Sequence, residues 1–284
     1  MPRVLDLAHP ILGFFSVQSG GSPNADEIAS LYNIILVIAV IIFIAVEGGL
    51  IYALVKFRKK KGAIPEQIHG NTRLEAGWTI AAALILVALA VVTFIKLPAI
   101  QDPPNGSGSL SPSLTSFGEP SASDERHLPP DGKALKIVVV GRQYLWQYLY
   151  PIGETEPHNG LGRPYAYEEM VVPTETTISL DVVSADVVHA WWVPALGGKV
   201  QAVPGYHSYT WFKISHPGVF HGQCAFLCGR LHARMIATVR AVPPAQFEAW
   251  LAKKHKELTE AKLIAGEETQ KLKSQTGANQ VLNP

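Results

Sequence analysis

Four residues within twelve positions, Cys224, Cys228, His232 and Met235, are spaced by four, four and three in the segment CAFLCGRLHARM. One loop and the strand that follows it can present all four donors to one point. Thiolate and thioether sulfur select copper over harder cations, and imidazole completes a set suited to copper rather than calcium or magnesium. A second imidazole, His189 in DVVHAWWVPALGG, stands where a strand pattern gives way to a turn, so it would approach from another loop. Two thiolates can each bridge two copper ions while one histidine caps each metal. Charge is then shared and little geometry changes when one electron arrives, which suits an electron relay on a rigid scaffold. Met235 would be a weak axial donor to one metal, and a backbone carbonyl between the cysteines would serve the other.

Three other readings stay open on these residues alone. The two cysteines could form a structural disulfide on the oxidising side of a membrane. Two Cys and two His could hold a structural zinc, although Met235 then has no role and zinc sites more often place two residues between cysteines. A membrane-anchored, thioredoxin-like copper-delivery protein also uses two cysteines four apart and a distant histidine, but it needs βαβ alternation around them.

The elements that would position these donors follow from composition and pattern. The chain has 284 residues, 48% hydrophobic and 17% charged, with a net charge of +1, so no basic excess exists to neutralise a nucleic-acid backbone. Residues 31–55 and 77–96 are apolar and each is long enough to cross a bilayer, which takes about 20 residues. Lys56, Arg58, Lys59, Lys60 and Lys61 follow the first span and hold the loop 56–73 in the cytoplasm by the positive-inside rule, leaving both termini outside. The chain thus divides into an outer N-terminal segment (1–30), a transmembrane hairpin (31–98), a Pro/Ser/Gly-rich linker (99–132), a β domain (133–243) and a charged helix or tail (244–284). Six stretches rich in β-branched and aromatic residues, 134–140, 143–150, 176–183, 208–214, 219–225 and 235–242, suggest an antiparallel barrel or sandwich. The tail reads as a solvated or membrane-surface helix without chemistry.

Four separated blocks, SPNADEIASLY, GNTRLEAGWTI, SADVVHAWWVPALGGKVQAVPG and PGVFHGQCAFLCGRLHARM, resemble subunit II of the cytochrome c oxidases in order and spacing. The resemblance runs from Gly21 to Trp250 and implies a two-helix hairpin followed by an all-β, cupredoxin-like Greek-key barrel in a bacterial-type plasma membrane, with the barrel outside. It implies a binuclear copper centre held by His189, Cys224, Cys228, His232, Met235 and the Phe226 carbonyl. Electrons from cytochrome c or a similar external donor would pass to haem in subunit I, where oxygen is reduced. A nitrous oxide reductase resembles the copper loop too, but the hairpin and LEAGWT favour the oxidase; a quinol oxidase subunit lacks the copper ligands found here. The chain has no CxxCH motif, hence no fused cytochrome c domain.

The departures are informative. The family usually has glutamate where this chain has Phe226, so the carbonyl is kept, the carboxylate is lost, and no magnesium ligand is expected from this chain. Tyr144 stands where the family has its outermost tryptophan, the usual point at which electrons arrive, and Trp146 keeps the second tryptophan position. Leu149 and Gln201 replace expected acids, whereas Asp186 matches a docking carboxylate. Glu75 matches a glutamate at the mouth of a proton-uptake path, although an ordinary helix-start carboxylate would look the same. Glu47, an ionisable group inside the first span, suggests contact with the catalytic subunit.

Overall fold

The computed structural model describes residues 17–18, 20–58, 70–104, 129, 133–151 and 163–281. Two long helices come first, α1 (Pro23–Lys56) and α2 (Thr72–Gln101). Proline at the first position of α1 suits its fixed φ and missing N–H, and the Asn71 side chain caps α2 by accepting from the Leu74 N–H at 3.2 Å. The most apolar window of each helix has no buried residues, which excludes a soluble core role and leaves these faces for lipid or another membrane subunit. Lys96 on α2 meets Glu27 near the start of α1 at 2.6 Å, tying the hairpin at its open end. Both helices run past the spans read from the sequence, because the polar residues that flank each apolar run continue the helical hydrogen bonding. Most of the basic cluster after the first span lies outside the described residues.

The β domain comprises β1 (Leu135–Arg142), β2 (Leu145–Leu149), β3 (Tyr165–Tyr167), β4 (Glu169–Pro173), β5 (Thr177–Ser184), β6 (His189–Trp191), β7 (Val200–Ala202), β8 (Ser208–Lys213), β9 (Gly218–Gln223) and β10 (Ile236–Val242). One sheet has the order β3-β2-β1-β5-β8, the other β4-β10-β9, and β6 pairs with β7. The antiparallel expectation holds for most strand pairs and is corrected at two, since β1 pairs with β5 and β10 with β4 in parallel. Parallel neighbours require a crossover, and the chain makes one by leaving the first sheet after β3, forming β4 in the second and returning as β5. Alternation in the sequence reports which face is buried, not which way a partner runs. The core between the sheets includes Leu135, Ile137, Trp146, Tyr148, Met170, Leu180, Phe212 and Val239.

Strand β8 joins the two parts of the molecule. Asn24, buried in the first turn of α1, donates to the Trp211 carbonyl at 2.7 Å; the Lys213 N–H donates to Ser22 Oγ at 3.1 Å; and the Trp211 indole donates to the Ile100 carbonyl at 3.1 Å. The ends of both helices are thereby bonded to the β domain. The tail is a helix, α3 (Pro244–Val281), but its first two turns are not solvated as expected. Phe247 and Leu251 are buried in the core, and Trp250 meets Tyr150 edge-on at 4.9 Å between ring centroids. Burying side chains of this kind stabilises by about 1.5–3 kcal/mol each.

Candidate metal centre

The loop 224–235 hangs between the antiparallel neighbours β9 and β10, and the Cys224 N–H donates to the Met235 carbonyl at 2.8 Å, closing it at its base. Four donors that are close in sequence are therefore held on one closed loop. The His189 loop crosses over it, with the Ala225 N–H donating to the Ala190 carbonyl at 2.9 Å and the Gln223 N–H to the Trp192 carbonyl at 3.0 Å. Gly222 makes this crossing possible: a Cβ there would lie 2.0 Å from the Trp192 carbonyl oxygen. Gly141 does the same on the other side, where a Cβ would stand 2.9 Å from the His189 ring.

The ligand atoms of His189, Cys224 and Cys228 lie within 4.8 Å of one another. The two sulfurs are 4.0 Å apart, and each has its own nitrogen and its own weak donor. Cys224 Sγ is 3.9 Å from His189 Nδ1 and 3.3 Å from the Phe226 carbonyl oxygen. Cys228 Sγ is 3.6 Å from His232 Nδ1 and 3.9 Å from Met235 Sδ. Both cysteines, Met235 and His189 are buried, and His232 is half-buried.

The electrostatics favour ionised sulfur at Cys224. Burial pushes its thiol up, but the His189 ring and the Ala190 backbone turned toward the sulfur outweigh burial and lower it. Burial and the neighbouring Cys224 sulfur raise Cys228. Burial opposes charge on His189, whereas contacts with Cys224 and Asp186 prevail and raise its pKa. Asp186 is held below the usual carboxylate range: its modest desolvation is outweighed by bonds from His189 and from the Gln143 and Val187 N–H groups.

Asp186 and Gln143 form the shell behind the donors. His189 Nε2 lies 2.8 Å from Asp186 Oδ1, which leaves Nδ1 to face the sulfurs, the arrangement that orients a metal-binding imidazole. The Gln143 N–H donates to Asp186 Oδ2 at 2.7 Å, and its side-chain amide donates to the Cys228 carbonyl at 2.7 Å. One residue thus ties the His189 loop to the cysteine loop. The sequence reading missed Gln143, Gly141 and Gly222; the only signal for Gln143 was its place beside Tyr144 in the aromatic segment.

The other sequence candidates are distributed unevenly. Tyr144 is half-buried at the surface of the site, its hydroxyl accepting from the Arg230 N–H at 3.2 Å. Trp146 is wholly buried and meets His189 edge-on at 5.8 Å, out of reach of any external protein. Asp186 lies at the exposed edge of the centre, where Oδ1 meets His189 Nε2 and the Val187 N–H and Oδ2 accepts from the Gln143 N–H. Glu75 lies far along the chain in the first turn of α2, where its carboxylate accepts from the Asn71 N–H at 3.3 Å. Glu47 is exposed on α1.

A donor set of two buried thiols, two imidazole nitrogens, a thioether and a carbonyl fits copper on chemical grounds. The antiparallel strands around the cysteines do not fit a thioredoxin-like copper-delivery protein, which would place a βαβ unit there. Residues 163–242 match the family of the cytochrome c oxidase subunit II periplasmic domain, and residues 10–95 match that of its transmembrane domain. The chain is 31% identical to cytochrome c oxidase subunit 2 of Cereibacter sphaeroides over 274 residues, covering 86% of this chain and 82% of that one. It is 32% identical to that of Alkalihalophilus pseudofirmus over 233 residues, 81% of this chain and 59% of that one. The crystal structure of the periplasmic domain of cytochrome oxidase subunit II from Bradyrhizobium japonicum is 34% identical, covers 43% of this chain and 94% of its own, and aligns with a TM-score of 0.39.

Proposed function

The chain belongs to the cytochrome c oxidase subunit II family, and from that premise we propose that it is the subunit through which electrons enter a respiratory oxidase, by way of two copper ions. The observation that carries the reading is the pairing of donors: each cysteine sulfur has one imidazole nitrogen and one weak donor within 4 Å. His189 with Cys224 and the Phe226 carbonyl, and His232 with Cys228 and Met235, would hold the copper. Bound there, the copper pair would supply a one-electron redox couple with charge shared between two metals.

The residues of the chain determine what that couple meets. Burial of both cysteines excludes water from the sulfurs, and the shell of Asp186 and Gln143 holds both loops before any metal binds. Tyr144 stands at the surface as the aromatic residue facing an external donor, cytochrome c or a similar protein. Trp146 backs His189 from within. The half-buried His232 side is the exit toward haem in subunit I, where oxygen chemistry takes place. Phe226 offers a carbonyl and no carboxylate, so magnesium is not held by this chain. The barrel and both termini lie outside, the basic loop inside, and Glu75 at the inner end of α2 collects protons for uptake.

The decisive experiment is electron paramagnetic resonance of the copper-loaded protein. An unpaired electron shared over two copper nuclei is expected. Hyperfine structure from a single copper nucleus would overturn the reading.

A further inference from the structure

The metal-bearing end of the β domain includes the segments 141–145, 184–188 and 224–235, with Pro204 bridged to Ser184 beside the second. Apart from the thiols and the His232 ring, the charged side chains on them are Arg142, Arg230, Arg234 and Asp186. All three arginines are exposed, and none forms an ion pair among the described residues. The carboxylate is occupied. Asp186 Oδ1 takes the Val187 N–H at 2.6 Å and His189 Nε2 at 2.8 Å, and Oδ2 takes the Gln143 N–H at 2.7 Å. The next carboxylate along the backbone pairing, Glu168, lies outside these loops, its N–H bonded to the Trp146 carbonyl.

Two of the arginines have their backbones close to the surface aromatic. Arg142 precedes Tyr144 by two residues, and the Arg230 N–H donates to the Tyr144 hydroxyl at 3.2 Å. Around them the loops expose Leu227, Leu231 and Val187. The face carries three exposed arginines and exposed apolar side chains against a single carboxylate, Asp186, which is ionised and hydrogen-bonded at both oxygens. Exposed charges of one sign steer a diffusing partner of the opposite sign and repel a like-charged one.

We propose that this face is the docking surface for a soluble electron-donor protein whose own docking face is acidic. The proposal rests on the metal-centre reading and narrows it, naming the charge class of the donor that is oxidised as the centre is reduced by one electron. A lysine-rich cytochrome c would be a poor partner, because its cations would approach Arg142 and Arg230. Asp186, matched to a docking carboxylate by sequence, acts here as the support of His189.

The test uses the intact oxidase containing this chain and follows anaerobic reduction of the metal centre in a stopped-flow instrument. The probes are a lysine-rich cytochrome c and the same cytochrome with its lysines succinylated, which reverses their charge on one scaffold. At low ionic strength the succinylated form should reduce the centre faster by about tenfold, and added salt should erase the advantage. Arg142→Glu with Arg230→Glu should reverse the order of the two donors, whereas Arg142→Lys with Arg230→Lys should keep it. Faster reduction by the lysine-rich form, or an order indifferent to charge reversal, would overturn the proposal. A small-molecule reductant applied to the native complex separates the two levels of inference. If it reduces the centre while the lysine-rich protein is preferred, only the docking proposal fails; if neither protein nor small molecule reduces the centre, the metal-centre reading fails and takes the proposal with it.

Discussion

The two loops that meet at the metal centre are built in opposite ways. The loop 224–235 supplies two thiols, an imidazole, a thioether and a carbonyl from twelve consecutive residues, and one backbone hydrogen bond from Cys224 to Met235 closes it. The loop that carries His189 supplies one donor, yet needs Asp186 behind the ring, Gly141 beneath it, Gly222 under its crossing and Gln143 to bind it to its neighbour. A ligand cluster that is local in sequence takes much of its geometry from its own backbone, and Gln143, Tyr144 and Ala190 add bonds to it from outside. A single ligand brought from 35 residues away must be held by contacts among distant parts of the chain.

That contrast can be broken most directly from the local side. Cys228→Ser removes the sulfur that faces Cys224, His232 and Met235 together, and the two-copper spectrum should disappear with no surviving relay. The distant side should fail by degrees. Gly141→Ala sets a methyl 2.9 Å from the His189 ring and 3.1 Å from the Trp146 ring, both in packed surroundings. A loss of about 1–3 kcal/mol in urea unfolding is expected, together with weakened copper retention. Asp186→Ala leaves His189 Nε2 without its acceptor, and copper affinity measured by competition with a chelator should fall by about 10–100-fold. Gln143→Ala has the smallest expected effect, about 1 kcal/mol, because it removes the amide bond to Cys228 and leaves the backbone bond to Asp186 intact. It should shift the midpoint potential of the centre while the protein stays folded. If Gln143→Ala and Cys228→Ser were equally damaging, the cysteine loop would not be self-supporting and the contrast would fall.

The same division explains what could be read in advance. The hairpin was legible because a membrane span needs only length and apolarity, and both are properties of consecutive residues. Four of the donors proposed for copper, Cys224, Cys228, His232 and Met235, were legible because their spacing places soft or borderline donors on one loop. Strands β3, β6 and β7 went unread because three residues are too few for alternation to register, and β4 follows a positive-φ residue, Glu168, in a stretch with no turn signal. The contact of Asp186 with His189 was obscured for a different reason: a carboxylate three residues before a histidine can face solvent or the ring, and only the fold brings its Oδ1 to 2.8 Å from Nε2.

By itself the sequence determined the two apolar spans, the identity and spacing of the sulfur and imidazole donors, and the absence of a carboxylate at Phe226, since each depends on residue type and near neighbours. Only the tertiary structure decided that β1 lies parallel to β5, that His189 faces Cys224 while His232 faces Cys228, and that Gln143 links the loops. Those outcomes depend on which distant backbone groups share hydrogen bonds and on two glycines that let chain segments approach within the space a Cβ would fill.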